Sequence, residues 1–198
     1  MIPTPIKNFV EVFSQIPSIG PRKARRLSFY LTKKGDSDFK EIKKALSDLE
    51  RLDKCPKCFF VKRKKEKLCE ICLKSNRSNK KIAIVEKETD LISLEKAENF
   101  KGTYFIVGQN SASGSLTEKQ KSRIEYLKKR IKKSDQKAKE LIVATSPTTQ
   151  GDFLAKIIKE KMEGFAEKIT RLGRGLPTGG EVEFADRETL RKALERRN

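Results

Sequence analysis

The chain has 198 residues, of which 36% are hydrophobic and 37% are charged, so it can bury a core while keeping a strongly charged surface. Lys and Arg number 46 against 27 Asp and Glu, and the absence of His keeps the net charge of +19 nearly constant around neutral pH. No stretch approaches the roughly 20 apolar residues that span a bilayer, which excludes a membrane-spanning protein.

The excess of positive charge favours a polyanionic partner. Nucleic acid is the usual one, because each neutralised phosphate releases condensed counterions. An anionic membrane surface and a basic face that is merely solvated are the alternatives. Residues 1–5 lack the basic and apolar blocks of a signal peptide. We therefore expect a cytoplasmic protein that does not enter the membrane.

Residues 1–53 have helical periodicity with one tight turn. Apolar spacing predicts a helix over 5–14, and Pro21 opens a second helix that ends near Gly35. A third helix is expected over 39–52, where apolar residues repeat at three and four positions. Because the turn Ile16–Gly20 directly precedes the second helix, 1–53 is predicted to be a helix-hairpin-helix region.

A helix N-terminus after a tight turn is suited to a phosphate, because its backbone N–H groups are unpaired and the helix dipole favours negative charge. Such contacts carry no base information, so binding should be sequence-nonspecific. Ser18 stands where many such hairpins have Gly. The alternative is an ordinary turn with a solvated basic face. The predicted DNA-contacting residues are Ser18, Gly20, Arg22, Lys23, Arg25 and Arg26.

Residues 54–80, the cysteine module, contain all four cysteines of the chain as Cys55-x-x-Cys58 and Cys69-x-x-Cys72. Each pair can place two sulfurs in one turn around a tetrahedral zinc, and four thiolates leave no open position, so one structural zinc per chain is predicted. Two disulfides are the alternative, against which a cytosolic location argues. Whether the basic surface of this module contacts nucleic acid or is only solvated stays open.

From residue 81 onward, β-rich runs alternate with helical segments, an order that predicts a mostly parallel sheet with right-handed crossovers over 81–172. Residues 173–198 are predicted to be a tail for packing and subunit contacts, with a strand at 182–184 and a helix at 187–196. The expected fold is therefore α+β with several modules. The other predicted strands are 82–86, 103–108, 141–144 and 168–172, and the other helices are 89–98, 117–139 and 151–163.

The motifs in this order resemble the bacterial RecR family over nearly the whole chain. They are IPSIGPRKARRL, the two cysteine pairs, IAIVE, ATSPTTQGD and TRLGRGLPTGGEVEFAD. The resemblance implies a Toprim-type α/β domain at 81–172 and subunits that assemble into a dimer or a tetrameric ring acting as a clamp on DNA. It also implies single-stranded, duplex or gapped DNA as ligand, and RecO-like and RecF-like proteins as partners in helping to load RecA on gapped single-stranded DNA.

The resemblance also implies residue roles. Arg22 and Arg26 correspond to hairpin bases that face DNA within the ring. Glu86 corresponds to the leading acid of the Toprim domain and Asp152 to the Glu that usually follows Gly151, acids that contact RecO in the family. A polar strand end for Glu86 and a helix cap for Asp152 are the alternatives.

Two departures from the family pattern concern the same domain: Ser146 replaces an Asn and Gln150 replaces a Glu. The surface expected to contact a partner protein is therefore less acidic here.

Toprim enzymes hold Mg²⁺ with a strand-end Glu and a later Asp-x-Asp. The only Asp-x-Asp, at 36–38, precedes the cysteines, and the matching segment 146–148 has no carboxylate. A catalytic metal site is therefore not expected.

Other catalytic motifs are also missing from the sequence. The chain has no His to serve as a base, its cysteines are assigned to a metal, and the Gly-rich loop 173–180 lacks the Gly-Lys-Ser/Thr of a phosphate loop. Residues 182–186 resemble the weak Walker B-like stretch of the family. We predict a non-enzymatic DNA-binding recombination mediator. A metal-dependent Toprim nuclease or primase and a zinc-ribbon RNA-binding protein are the alternatives.

Overall fold

The computed structural model describes residues 2–109, 115–134, 136–195 and 197. The chain divides into two compact units, residues 1–52 and 53–198. The first unit is helical. The second contains the cysteines and a four-stranded sheet.

The first unit consists of α1 (Thr4–Phe13), α2 (Pro21–Thr32) and α3 (Asp36–Leu49). A proline in the first turn of α1 and of α2 removes an N–H that would lack a partner there, and it fixes a helical φ. α1 packs on α2, with Ile6, Ala24 and Leu31 buried. α3 buries no residue, so its apolar stripe stays exposed.

α3 begins three residues earlier than its apolar pattern predicts. Asp36 and Asp38 lie in its first turn, where carboxylates interact favourably with the positive end of the helix dipole. The helix ends at Leu49, because the chain turns into a strand that starts at Leu52. The predicted order of three helices with a hairpin between the first two is confirmed.

The sheet of the second unit has the strand order β4-β3-β5-β6, and every pairing within it is parallel, as the alternating pattern predicts. In the central strand, Ile84 lies opposite Phe105 on one side and Val143 on the other. The strands are β1 (Leu52–Lys54), β2 (Val61–Arg63), β3 (Ser78–Val85), β4 (Gly102–Ile106), β5 (Ala138–Ala144) and β6 (Ala166–Arg171). The helices are α4 (Glu70–Leu73), α5 (Glu88–Lys96), α6 (Glu118–Lys132), α7 (Thr149–Met162) and α8 (Arg187–Glu195).

Both faces of the sheet are covered, because side chains alternate between the faces along each strand. One face packs against α6 and α7 and the other against α5, and the cysteine module contacts the clusters on both faces. The first cluster includes Ile82, Ile84, Phe105, Leu127, Val143 and Ile158. The second includes Ala83, Val85, Leu91, Tyr104 and Ile106, with Phe60 and Ile71 of the cysteine module packed on them.

Three further differences from the sequence-based expectation are the most notable. Residues 182–184 form a 3-10 helix and not a strand, and the side chains of Val182 and Phe184 are 62% and 79% exposed. The helix predicted over 117–139 ends at Lys132, and β5 already starts at Ala138. β3 starts at Ser78, inside the predicted cysteine module, and pairs there with Gly102. Positions 135 and 196, which belong to the helices predicted over 117–139 and 187–196, lie outside the described residues.

Gly151 provides a test of how tightly α7 packs. The residue is buried in the first turn, and its N–H donates to Thr148 Oγ1 at 3.1 Å. A Cβ at this position would lie 2.0 Å from the Ser146 carbonyl oxygen, which is backbone and cannot rotate away. Gly151→Ala should therefore lower the free energy of unfolding by about 1–3 kcal/mol, measured by urea denaturation.

Gly175→Ala is the matched control, because a Cβ there meets nothing within 4 Å. Equal stability of the two variants would contradict the described packing of α7.

Candidate nucleic-acid interface and metal centre

The turn between α1 and α2 places backbone N–H groups at an open helix end. Ser18 has φ 67°, a left-handed conformation that glycine adopts most easily, and Lys23 Nζ donates to the Ser18 carbonyl at 3.3 Å. Gly20 is the N-cap of α2 in an extended conformation, and no side chain caps the helix. The first-turn N–H groups of α2 therefore point out of the helix without a capping side chain.

Four cations surround this helix end: Arg22, Lys23, Arg25 and Arg26, which we call the hairpin bases. All four side chains are exposed. In the described part of the first unit the ion pairs are Lys34–Asp38 and Arg51–Asp48, so no carboxylate neutralises the hairpin bases. The residues predicted from the sequence thus lie together, with their charge directed to solvent.

The four cysteines form one buried cluster. Their sulfur atoms all lie within 4.8 Å of one another, and the Cys58 and Cys69 sulfurs are 3.5 Å apart. Two backbone N–H groups donate to sulfur: Phe60 N to Cys58 at 3.4 Å and Cys69 N to Cys55 at 3.4 Å. A set of four convergent thiols with such N–H partners fits a tetrahedral metal ion with no open position. The cluster can therefore bind a metal ion.

Close contact between the thiols shifts their pKa values in opposite directions. A hydrogen bond from the Cys58 thiol lowers the pKa of Cys69 to about 2, and the same bond raises the pKa of Cys58. Metal binding requires thiolates, so protons leave the cluster as a cation enters. The negative charge of the cluster lies close to cations of the second unit, described next.

Phe59, directly after Cys58, joins the cysteine module to the sheet. It has φ 64°, and its ring makes edge contacts with Phe105 at 5.4 Å and Tyr126 at 5.5 Å between centroids. The Arg123 guanidinium lies 4.5 Å from the Phe59 centroid. Because these contacts come from α6 and β4, the module packs on the sheet of its own unit.

Two hydrogen bonds to backbone carbonyls fix the first cysteine turn. Ile106 N donates to the Cys58 carbonyl at 2.9 Å, and Arg130 of α6 donates to the Lys57 carbonyl. The Arg130 guanidinium also lies 5.6 Å from the Phe105 centroid. Burial lowers the pKa of Arg130, while the nearby cysteines act in the opposite direction. Sequence reasoning missed this residue, since it is 73 positions from its partner.

The two acids predicted as partner contacts, Glu86 and Asp152, are both engaged within the second unit. Glu86 Oε1 accepts from Ser146 N at 2.8 Å. Asp152 accepts from Arg171 and Arg174. The cap of α7 is Thr148 and not Asp152, so the alternative role of Asp152 as a helix cap is wrong.

The arginine partners stabilise the ionised form of Asp152. Hydrogen bonds from Arg174 and Arg171 hold the pKa of Asp152 below its usual range. The ion pairs therefore persist at neutral pH and are lost only as the pH falls through the lowered value. The side chain is still 43% exposed, so it remains accessible at the surface.

The Walker B-like residues 182–186 serve a local purpose. Asp186 accepts from the backbone N–H groups of Glu188 and Thr189, each at 3.0 Å, and from the Thr189 hydroxyl. These are the bonds of a helix N-terminal cap. Asp186 was not predicted as a cap, although the Asp-x-x-Thr spacing before a helix is a signal for one.

Among the described residues, the cysteines form the one group of three or more potential metal ligands close enough to share an ion. The Asp-x-Asp of the sequence lies in α3 of the helical unit. No helix in the described part of the chain is long and apolar enough to cross a membrane.

Comparisons with known proteins agree with the motif order. Residues 80–173 match the Toprim domain family, and residues 175–198 match the family described as RecR, C-terminal. "Recombination protein RecR" of Prochlorococcus marinus subsp. pastoris is 36% identical over 199 residues, covering 98% of this chain and 95% of that protein. The protein of the same name from Chloroflexus aurantiacus is 33% identical over 198 residues, covering 100% and 95%. With such similarity along its whole length, the chain belongs to the RecR family.

Proposed function

We propose that this protein is a non-enzymatic mediator of recombination and DNA repair that binds DNA through its helical hairpin. The observation that carries the proposal is the uncapped N-terminus of α2, surrounded by four exposed cations that have no carboxylate partner in the described part of the first unit. The name of the relatives, recombination protein RecR, supports the process. A cytoplasmic location follows from the proposal.

In this proposal the backbone N–H groups after Gly20 bind a phosphate, and the hairpin bases bind its neighbours along the strand. Gly20 has an ordinary φ of −79°, and a Cβ added there would meet nothing within 4 Å. Folding therefore does not require glycine at this position. A close approach of the DNA backbone does, since a side chain would stand between the phosphate and the N–H groups.

We propose zinc as the metal of the cysteine cluster. Four thiolates in a closed tetrahedral set suit zinc, which would supply no catalysis there and would act as a crosslink. Two disulfides are less consistent with the cluster, because all four sulfurs converge on one point. The residues that would hold the ion are Cys55, Cys58, Cys69 and Cys72.

Assembly into a dimer or a ring of subunits is supported by exposed apolar surface on each unit. In the helical unit, an apolar groove of about 730 Å³ is lined by α1, α2 and α3, with Phe39 and Leu46 49% and 52% exposed. In the second unit, Phe184 and Leu194 are 79% and 64% exposed. Two separate association surfaces per chain are what a closed ring built from two kinds of interface requires.

We further propose that the ring clamps DNA and works with RecO-like and RecF-like proteins to help load RecA on gapped single-stranded DNA. Glu86 and Asp152 are the proposed contacts to such a partner. Because Arg171 and Arg174 already neutralise Asp152, the partner would meet a mixed surface of both signs and not a purely acidic one. A Toprim nuclease or primase is disfavoured because residues 146–148, which match the Asp-x-Asp of such enzymes, offer no carboxylate to Mg²⁺.

The metal proposal predicts one zinc per chain by elemental analysis, and its removal by a chelator should lower the unfolding midpoint by about 5 °C or more. Since the chain has no Trp, tyrosine emission should report the change through Tyr126, which contacts Phe59 next to Cys58. Cys58→Ser should lose the metal. A metal-free protein with unchanged midpoint and emission would refute a structural role.

The hairpin proposal predicts that Arg22→Gln/Arg26→Gln weakens binding to single-stranded DNA. A plot of log K against log[salt] should become shallower by about 1.4, since each lost phosphate contact removes about 0.7 from the slope. At 0.1 M salt this change corresponds to an affinity lower by about 25-fold. Fluorescence anisotropy with gapped and single-stranded DNA over a NaCl series measures both quantities.

Lys40→Gln/Lys44→Gln is the matched control, with the same spacing, charge change and exposure on α3. Gly20→Ala tests the backbone contact without changing the charge. Its free energy of unfolding should fall by only about 1 kcal/mol or less, since alanine is a poorer N-cap than glycine, while its DNA affinity falls. Equal affinities for the hairpin and control pairs would move the DNA contact away from α2.

The assembly proposal predicts that Leu46→Glu, in the groove of the helical unit, reduces the mass of the particle in solution because it places a charge on apolar surface. Light scattering measures the mass against the 22.6 kDa of one chain. Lys44→Glu, exposed on the same helix and outside the groove, is the control. A monomeric wild type, or a Leu46→Glu assembly of full size, would contradict the proposed interface.

A further inference from the structure

A second cationic site lies in the second unit, away from the hairpin sequence. It is a cavity of about 350 Å³ bordered by the first cysteine turn, the start of β3, the end of α6 and the residues before β5. Its polar lining consists mainly of Lys57, Asn79, Lys80, Arg130, Ser134 and Lys137. Four elements distant in sequence thus bring four cations to one cavity.

The four cations have no carboxylate partner among the described residues. Elsewhere in this unit lysines and arginines pair with acids, as Lys54 does with Glu88 and Lys74 with Glu95. The described lining of the cavity contains no Asp or Glu. The sequence has one acid next to the lining residues, Asp135, which lies outside the described residues. Four converging cations against at most one acid raise the free energy of the unit, and an anion in the cavity would lower it.

Two of the cations are held in place before any ligand arrives. Arg130 donates to the Lys57 carbonyl and stacks 5.6 Å from the Phe105 centroid. Lys57 Nζ donates to Asn79 Oδ1 at 2.7 Å. Because these side chains are already ordered, binding an anion costs less conformational entropy than it would on free surface lysines.

The chemistry of the lining favours a phosphate group. Lysine ammonium groups act as point charges and arginine offers a planar fork of donors, and together they suit an oxyanion with several acceptor oxygens. The volume admits a phosphate with its adjoining atoms. We propose that this cavity binds a phosphate group and that a nucleic-acid backbone supplies it.

The proposal that the cavity binds a phosphate group depends only on the cavity described above. The proposal that a DNA backbone supplies this phosphate rests on the proposed function. With this site, the second unit would contribute its own contact to DNA in addition to the hairpin of the first. One chain could then bind a DNA strand at two sites. The slope of log K against log[salt] would reflect the phosphate contacts of both sites together.

The test uses the full-length metal-loaded protein and replaces the two exposed cations, Lys80→Gln/Lys137→Gln. The matched control is Lys156→Gln/Lys159→Gln, two exposed lysines of α7 with the same change of charge. Equal unfolding midpoints and metal contents establish that both variants fold. The probes are a fluorescein-labelled thymidine oligonucleotide of about 30 nucleotides, followed by anisotropy, and inorganic phosphate, followed by ³¹P line width.

We call Lys80→Gln/Lys137→Gln the cavity pair and Lys156→Gln/Lys159→Gln the control pair. The cavity pair should bind the oligonucleotide about 25-fold more weakly at 0.1 M salt, with a plot of log K against log[salt] that is shallower by about 1.4. The control pair should change little. Coinciding curves for the two pairs with both probes would overturn the site. If only the phosphate signal responds to the cavity pair, the ligand is a free phosphate and the backbone assignment is wrong.

The hairpin variant separates this inference from the proposed function. If Arg22→Gln/Arg26→Gln weakens oligonucleotide binding and the cavity pair matches its control with both probes, the inference alone fails. If the cavity pair weakens binding and the hairpin pair does not, the hairpin proposal fails and the cavity stands. A wild type that binds phosphate in the cavity and no oligonucleotide would overturn the backbone assignment together with the proposed function.

Discussion

The ring of Phe59 is the contact on which the second unit depends, because it joins the cysteine cluster to the sheet. Its left-handed backbone costs about 1–2 kcal/mol in a residue other than glycine. Edge contacts with Phe105 and Tyr126, each worth about 0.5–1.5 kcal/mol, together with the stacked Arg123 guanidinium, offset that cost. A bound metal would fix Cys58 and thereby the position of the neighbouring ring.

The chain has more cations than acids to pair with them, so positive charge is left over. Two acids of the second unit each pair with two cations of the same unit: Glu95 with Arg77 and Lys74, and Asp152 with Arg171 and Arg174. With 46 bases against 27 acids, such pairing leaves much of the positive charge on the surface. The hairpin bases and the cavity beside Arg130 are two places where this surplus is concentrated without a described counterion.

Local patterns predict much of this molecule. The helices of the first unit follow from apolar spacing and Pro21, the parallel sheet follows from alternating β-rich and helical segments, and the cysteine spacing predicts the cluster. What the sequence conceals are contacts between distant residues, such as Arg130 with Lys57 or Asp152 with Arg174. The strand expected at 182–184 illustrates the limit, because apolar residues become a strand only where another strand can pair with them.

The position of the cysteine cluster at the sheet border affects more than local folding. β4 is an edge strand, and its Ile106 N–H, which faces away from β3, is bonded to the Cys58 carbonyl. An edge strand with unpaired N–H and C=O groups is a template for pairing with another chain. The cysteine module therefore acts as a cover for this edge. If the cluster binds a metal, losing that metal would expose the β4 edge and so favour aggregation through it.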